Sequence, residues 1–235
     1  MALVRLDKLI ADSGRASRME AKDLVKAGRV RVDNMIASSA EMKVDGDLST
    51  VYIDGESLDY RKNRYIMMNK PNGVLSATED SQQKTVIDLL PESLRKQELF
   101  PVGRLDKDTT GLLLLTNDGV FSHNIISPKH HIAKVYRAAV TGVLDESDIA
   151  AFEKGIILSD GTKCMSAKLE IERPSVGLAT VYEGKYHQVK RMFASRGKHV
   201  TALHRLSIGG LSLDEKLKSG EFRELSEEEI KKIFE

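Results

Sequence analysis

The 235-residue sequence predicts an α+β fold with two domains, a small one over residues 1–60 and a larger one over residues 61–235. Helix signals come first and lead into short alternating segments that are typical of a small sheet. A polar stretch without periodicity at 57–64 then marks a linker. Beyond it, strands and helices alternate irregularly, which predicts a mostly antiparallel mixed sheet with flanking helices.

The first domain is predicted to hold two short helices and a small sheet. An apolar face made by Leu6, Leu9 and Ile10 ends at Gly14, and Ser17 begins a capping box that starts the second helix. The segment 29–33 then alternates as a strand. Eight basic residues oppose four acidic ones between residues 1 and 31, so this helix pair is positively charged.

The larger domain is predicted from apolar segments that alternate with turn residues. Leu112–Leu115 is an unbroken apolar run that indicates a buried strand, and Val189, Met192 and Phe193 have the spacing of a core-facing helix. A capped helix is predicted to begin at Ser226. The other predicted strands are Tyr65–Met68, Val135–Val140, Ala167–Ile171 and Leu178–Glu183, and the predicted turns are Asn69–Gly73, Thr109–Gly111 and Asn117–Gly119.

Composition predicts an ordinary cytoplasmic protein. The net charge is +1, so a polyanion partner is indicated only by the local distribution of charge. The single cysteine, Cys164, has no partner for an internal disulfide, which fits a reducing compartment. The N-terminal segment carries charges where a secretory signal would be apolar, and no apolar run approaches membrane-spanning length, so no membrane association is expected.

Asp106 is the strongest candidate for a functional residue. It follows Arg104 and Leu105 and stands just ahead of the apolar run, where a carboxylate often serves only to cap a turn. The segment from Asp106 to Thr110 also fits the Asp-x-Asp-x-Thr opening of phosphoaspartate hydrolases, which need a second acidic pair around Mg²⁺. No Gly-Asp-x-x-x-Asp segment follows, so this alternative is the weaker one.

The segment from Gly103 to Gly119 resembles the signature of the RsuA-type family of RNA pseudouridine synthases. The Asn-Lys-Pro-x-Gly turn at 69–73 and the segment 183–192 resemble two further motifs of that family. The resemblance implies that Asp106 is the catalytic nucleophile and that Tyr136 stacks on the target base. It also implies that Lys190 pairs with the carboxylate, with Arg191 as the fallback. The isomerisation requires no cofactor, and no zinc-ligand spacing is present.

The same resemblance implies further contacts to the RNA. Arg104 is expected to help expel the target nucleotide from its stack, and Leu203 to pack under the base, although an ordinary core role is nearly as plausible for Leu203. His187 and Gln188 are expected to bind sugar or phosphate, and Lys134 to contact RNA. The segment from Glu183 to Arg205 holds six basic residues against one acidic residue and is predicted to face RNA.

The N-terminal region resembles the S4 (αL-like) RNA-binding domain. The matching segments are Arg5-Leu6-Asp7-Lys8, Ser17-Arg18, Ala21 and 28–34, and Met35 departs from the glycine that many S4 sequences have there. Clustered lysine and arginine side chains gain affinity by releasing counterions from phosphates. The residues predicted to contact RNA are Arg5, Lys8, Arg15, Arg18 and Arg29.

The resemblance implies an rRNA pseudouridine synthase of the isomerase class. The Ser-Pro-x-His-His segment at 127–131 resembles the branch that acts on 16S rRNA, which implies uridine 516 as the target and 16S rRNA or a 30S assembly intermediate as the partner. A monomer is expected. The alternatives are a 23S rRNA synthase of the same family and a non-catalytic RNA-binding assembly factor.

Overall fold

The computed structural model of the protein describes residues 3–46, 48–58, 60 and 63–235. The chain divides into two compact units. The N-terminal unit comprises Met1–Arg64 and Leu90–Leu99, and the sheet unit comprises Tyr65–Leu89 and Phe100–Glu235. A short segment from later in the chain therefore completes the smaller unit.

The N-terminal unit packs two helices against short strands. In chain order its elements are β1 (Leu3–Arg5), α1 (Leu6–Asp12), α2 (Arg18–Lys26), β2 (Val30–Val32), β3 (Met35–Ile36), β4 (Lys43–Asp45), β5 (Val51–Ile53), β6 (Glu56–Ser57) and α3 (Glu92–Arg95). The antiparallel order is β3-β2-β5-β6, and β1 pairs with β4. The predicted helix pair and small sheet are confirmed, as is the capping box between Ser17 and Glu20. Gly14 has positive φ after the first helix, as predicted, and Gly28 has positive φ after the second.

The sheet unit is built on one large sheet. Its elements are β7 (Tyr65–Lys70), β8 (Phe100–Pro101), β9 (Thr109–Thr116), α4 (Gly119–Ile126), β10 (Lys134–Val140), α5 (Glu146–Lys154), β11 (Lys168–Arg173), β12 (Val176–Val181), α6 (Gln188–Ala194), β13 (Val200–Ile208), β14 (Leu211–Ser212), β15 (Phe222–Glu224) and α7 (Glu227–Lys232). The strand order is β11-β12-β10-β13-β9-β7-β15, with β14 beside β13 and β8 beside β9. The predicted mostly antiparallel mixed sheet with flanking helices is confirmed.

The parallel pairing in this sheet joins β9 to β13, and it brings distant parts of the chain together. Leu203 lies opposite Thr109, and Arg205 lies opposite Gly111. Gly111 has φ +101°, and a Cβ at this position would lie 2.3 Å from the carbonyl oxygen of Arg205. A side chain at Gly111 would therefore push the two strands apart, so glycine is required here.

Three predicted turns are wrong in detail. Thr109–Gly111 begins β9 because its backbone pairs with β13. Asn69 and Lys70 extend β7, since they pair with Leu112 and Gly111. The segment 117–119 leads into α4, because the Asp118 carboxylate accepts hydrogen bonds from the first free N–H groups of that helix. The capped helix predicted at Ser226 is confirmed.

Among the residues that the structure describes, no helix is both long and apolar enough to cross a lipid bilayer.

Candidate active site

Asp106 lies in the loop between β8 and β9, and the backbone of this loop is tightly held. The buried hydroxyl of Ser76 donates to the carbonyl of Leu105 at 2.9 Å and accepts from its N–H at 3.1 Å. The carbonyl of Asp106 then accepts from the N–H of Thr109 at 3.0 Å, which closes a turn. The position of the Asp106 carboxylate is therefore set by a rigid backbone on both sides.

Lys70, at the end of β7, supports this turn from the inside of the protein. Its side chain is fully buried, and its Nζ donates to the carbonyls of Pro71, Lys107 and Thr109 at 3.0, 3.2 and 2.9 Å. Burial lowers the pKa of Lys70 to about 8, against the opposing effect of the nearby acidic residues. Sequence reasoning placed Lys70 only in a turn motif, although a lysine at the end of an apolar strand could have signalled a buried role.

The Asp106 carboxylate, about a quarter exposed, has two nitrogen neighbours. Nζ of Lys190 lies 3.0 Å from Oδ2, and Nε2 of His187 lies 3.4 Å from Oδ1. Lys190 also pairs with Asp108 at 2.5 Å. Partial burial works to lower the pKa of Lys190, but the hydrogen bonds to Asp108 and Asp106 outweigh it and raise that pKa. The ammonium group thus stays charged, and its hydrogen bond to Asp108 is the main cause of a lowered pKa of that carboxyl.

A narrow cleft opens beside this carboxylate. Its volume is about 80 Å³, small compared with the roughly 300–1,000 Å³ of drug-sized ligand pockets, so it suits a single flat ring. Tyr136 and Leu203 form part of its wall, and both are at least nine-tenths buried. The cleft is lined by Arg104, Leu105, Asp106, Thr109, Tyr136, Val181, Glu183, Gly184, Lys185, His187, Gln188, Val189 and Leu203.

Arg205 lies behind Tyr136 and was not identified as a site residue from the sequence. Its Nη1 donates to the hydroxyl of Tyr136 at 3.3 Å, and its Nε donates to the carbonyl of Leu112 at 2.7 Å. Within the described part of the chain, Nη2 of Arg205 and Oγ1 of Thr109 are buried without a hydrogen-bond partner. Arg205 stands between Leu203 and Leu206 in the sequence, and this pattern gave no clear signal of the buried contact.

The structure corrects the prediction for Gln188. Its side chain is buried, its Oε1 accepts from the N–H of Lys185 at 3.0 Å, and its Nε2 donates to Glu183 at 2.9 Å. Glu183 in turn accepts from the N–H of Met165 and contacts the amine of Lys185. The amide of Gln188 therefore holds the cleft wall together and is not available to sugar or phosphate.

Two further predicted RNA contacts do not fit their positions. Lys134 is buried, and its Nζ donates to the carbonyls of Ile125 and Ile132 at 3.3 and 2.9 Å, while burial lowers its pKa to about 8. Arg191 pairs with Asp160 at 2.5 Å and is not beside Asp106, so the fallback role does not apply.

The predicted basic strip between Glu183 and Arg205 is also wrong as a continuous RNA-facing surface. Arg196 and Lys198 both pair with the fully buried Asp148, at 3.1 and 2.6 Å. Arg104, by contrast, is exposed, and no described residue forms an ion pair or hydrogen bond with it. Arg104 is thus the free cation at the cleft wall in the described structure, since Lys185 is bound to Glu183.

The predicted RNA contacts of the N-terminal unit are on its surface. Arg5 pairs with Asp7 and Glu41, Arg15 with Glu56 at 2.8 Å, and Arg29 with Asp54 through two hydrogen bonds of 2.7 and 2.6 Å. Lys8 and Arg18 are exposed and form no ion pair with a described residue. These two side chains are therefore free to bind phosphate without exchanging a carboxylate.

No group of three or more histidine, cysteine, aspartate or glutamate residues within the described ranges is arranged to hold a metal ion. The two carboxylates of the Asp-x-Asp-x-Thr alternative share the ammonium group of Lys190. A magnesium site on these two carboxylates would have to displace that contact.

Comparisons with known proteins agree with this geometry. A model of the RNA pseudouridylate synthase family matches residues 64–195, and a model of the S4 domain matches residues 4–48. The RNA pseudouridine synthase YtzG of Bacillus subtilis (strain 168) is 49% identical over 231 residues, which cover 97% of each chain. The ribosomal small subunit pseudouridine synthase A of Escherichia coli (strain K12) is 42% identical and covers 98% of this chain and 100% of the relative. A crystal structure of a pseudouridylate synthase matches with a TM-score of 0.70 at 38% identity, over 98% of this chain and 99% of the other.

Proposed function

The chain belongs to the family of RNA pseudouridylate synthases, and on that premise we propose that it isomerises a uridine of small-subunit ribosomal RNA to pseudouridine. The Escherichia coli relative, similar over nearly the whole chain, is named for the ribosomal small subunit. This supports 16S rRNA as the substrate, alone or in a 30S assembly intermediate. Uridine 516 is the proposed target, on the resemblance of the segment 127–131 to the branch that acts on 16S rRNA. We assign residues 1–60 to the S4 domain and residues 61–235 to the catalytic domain.

The observation that carries the proposal is the position of Asp106, which faces the cleft with Lys190 at 3.0 Å. The reaction breaks the bond between N1 of the base and C1′ of the sugar and forms a bond from C5 to C1′. Asp106 is the proposed nucleophile that attacks C1′ or C6, or, in a glycal route, the base that removes the C2′ proton as the N1–C1′ bond breaks. Each route needs the carboxylate to face the reacting nucleoside, and Lys190 places a positive charge beside it.

The cleft wall gives the detached base a place to turn without leaving. Tyr136 on β10 is the proposed stacking surface, and Leu203 on the neighbouring strand β13 forms another part of the wall. A uridine within a helix reaches this cleft only after it leaves its stack, which costs a few kcal/mol. Arg104, exposed and unpaired among the described residues, is the proposed contact that holds the displaced strand.

The N-terminal unit is the proposed anchor on the RNA. Lys8 and Arg18 are free to bind phosphates directly, and Arg15 and Arg29 are proposed to do so by exchanging exposed carboxylates. Arg5 is proposed to contact phosphate while it stays paired with a buried carboxylate. We propose a monomeric enzyme in the cytoplasm, and the ribosomal substrate supports that location.

The test is a site-resolved map of pseudouridine in rRNA from bacterial cells that lack this protein, complemented with wild-type protein, Asp106→Asn or Asp108→Asn. Both carboxylates contact Lys190, but Asp106 lines the cleft whereas the side chain of Asp108 is 68% exposed. We expect wild type and Asp108→Asn to restore one modification in 16S rRNA and Asp106→Asn to leave it absent.

Other results of the same map would contradict the proposal in distinct ways. A modification restored in 23S rRNA would assign the enzyme to the large subunit. Restored growth or assembly with Asp106→Asn, without any pseudouridine, would indicate a non-catalytic RNA-binding factor.

A further inference from the structure

Tyr186 is a large aromatic side chain that neither the core nor the cleft uses. Three-quarters of its surface is exposed, and it lies next to the cleft-lining residues Lys185 and His187. Its ring stacks on the imidazole of His187, with ring centroids 3.8 Å apart and planes inclined by 18°. One face of the phenol is therefore covered, and the rest of the ring is open to solvent.

The segment that carries this stacked pair is held in place. The side chain of Gln188 accepts from the N–H of Lys185, and the N–H of Gln188 donates to the carbonyl of Lys185 at 3.1 Å. Nη1 of Arg191 donates to the carbonyl of Tyr186 at 3.3 Å. The exposed ring is thus pre-positioned, which reduces the entropy that a ligand would lose on ordering it.

The stacked pair lies directly beside the reacting carboxylate. Nε2 of His187 is 3.4 Å from Asp106, so carboxylate, imidazole and phenol follow one another from the cleft towards solvent. If one base fills the narrow cleft, the next nucleotide of the strand must leave along its rim. At this part of the rim the group that is open to a ligand is the ring of Tyr186. The neighbouring cations Lys185 and Arg191 are already paired with acidic side chains.

We propose that the Tyr186–His187 pair is a second base-binding site, which stacks the unpaired base of a nucleotide adjacent to the target uridine. This inference rests on the proposed function and adds a subsite to it. Stacking on an aromatic face accepts any base, so the site is expected to add affinity and to hold the strand open without reading sequence.

Three proteins test the site: wild type, Tyr186→Phe, which keeps the ring, and Tyr186→Ala, which removes it. The substrates are a 16S rRNA fragment centred on uridine 516 and two versions that carry an abasic nucleotide on the 5′ or the 3′ side of it. On the intact fragment we expect Tyr186→Ala to raise KM about tenfold with little change in kcat, and Tyr186→Phe to match wild type. On one of the two abasic fragments, the KM of wild type should rise by the same factor, and the KM of Tyr186→Ala should rise no further.

Equal KM values for wild type and Tyr186→Ala would overturn the inference while leaving the proposed function intact. The inference would also be overturned if the effect of Tyr186→Ala on KM were the same on both abasic fragments as on the intact one. The ring would then act elsewhere. A wild-type protein that does not modify the intact fragment would instead contradict free 16S rRNA as the substrate, and the binding readout that follows would then decide the inference. Fluorescence of 2-aminopurine placed beside the target gives a readout without turnover: its quenching on binding should occur with wild type and Tyr186→Phe and be lost with Tyr186→Ala.

Discussion

In the N-terminal unit, Arg15 and Arg29 lie on the surface in pairs with exposed carboxylates, whereas several cations of the sheet unit are buried in its interior. Arg15 and Arg29 are each more than half exposed. In the sheet unit Lys70, Lys134 and Arg205 are buried and donate to backbone carbonyls. Residues of the same charge thus serve as an exchangeable surface in one unit and as internal supports in the other.

This difference shows why counting charges along the chain misidentifies contacts. An exposed pair contributes at most about 1 kcal/mol and is readily exchanged for phosphate. A buried ammonium that satisfies several carbonyls cannot be released without leaving those carbonyls unpaired. Lys190 stands between these cases, because it is partly buried and holds two carboxylates at the open cleft. Substitutions in the two units should therefore affect different measurements.

The largest expected effect is at Lys190. In Lys190→Met, Asp106 and Asp108 lose their shared cation, so kcat should fall about 10²- to 10³-fold while RNA binding changes little. Lys190→Arg should recover part of the activity because it restores the charge. Lys107→Met is the matched control, since that lysine is on the same loop but its Nζ bonds to Gln83. Single-turnover kinetics and a filter-binding assay would check this, and a fully active Lys190→Met would contradict the role.

Lys70→Met should destabilise the fold rather than alter RNA binding. The methionine fills a similar volume but removes the ammonium donor of the carbonyls of Pro71 and Thr109, while the carbonyl of Lys107 keeps the N–H of Gly73. The free energy of unfolding should fall by about 3 kcal/mol, from roughly 1–3 kcal/mol for each unsatisfied buried group and partial relaxation. Lys107→Met should change it by less than about 0.5 kcal/mol. Urea unfolding of the two variants would show whether Lys70 is the support described here.

The pH dependence of the stability difference between wild type and Lys70→Met is a sharper test of the burial of Lys70. Burial lowers the pKa of Lys70 from 10.5 to about 8, so between these values the unfolded chain holds a proton that the folded chain has lost. The stability of wild type should therefore rise relative to Lys70→Met, by about 1.4 kcal/mol per pH unit in this window, and stay parallel to it below about pH 8. A difference that is constant from about pH 7 to about pH 9.5 would contradict a desolvated amine.

The sequence predicted the architecture well wherever local signals decide it. The capping boxes at Ser17 and Ser226 and the buried run Leu112–Leu115 are present as predicted, because caps and apolar periodicity act over a few residues. The turn at Thr109–Gly111 was wrong because its outcome depends on β13, almost a hundred residues later in the chain. A local pattern carries no information about such a partner.

The candidate site divides in the same way. Asp106, Tyr136 and Lys190 were identified through sequence motifs; in the structure Asp106 and Tyr136 line one cleft, and Lys190 contacts the Asp106 carboxylate. Lys70 and Arg205 were missed because their importance lies in what surrounds them, namely carbonyls and a phenol contributed by other strands. Burial of this kind is a property of the assembled sheet and cannot be identified from the amino-acid sequence alone.

Arg104→Ala should lower activity on folded rRNA about 10- to 100-fold, because a cation that holds the displaced strand offsets part of the few kcal/mol needed to extrude the uridine. On a short unstructured fragment with the same uridine, the loss should be several-fold smaller, since little stacking must be broken. Arg137→Ala is the control, because Arg137 is partly exposed and pairs with Glu172. Equal losses on the folded and unstructured RNAs would contradict a role in extrusion, and full activity on folded rRNA would remove Arg104 from the site.

The smallest expected effects separate the free from the paired cations of the N-terminal unit. Lys8→Ala and Arg18→Ala should each weaken RNA binding several-fold and reduce the slope of log K against log salt by about 0.7 to 0.9, as one lost phosphate contact predicts. Arg15→Ala should change the slope less, because Arg15 must first give up Glu56 to reach a phosphate. Glu56→Gln should then strengthen binding slightly, since it frees Arg15 and removes one negative charge from the surface. Equal slopes for Arg15→Ala and Lys8→Ala, with no gain from Glu56→Gln, would mean that the surface carboxylates do not compete with RNA, and the contrast between free and paired cations would fail.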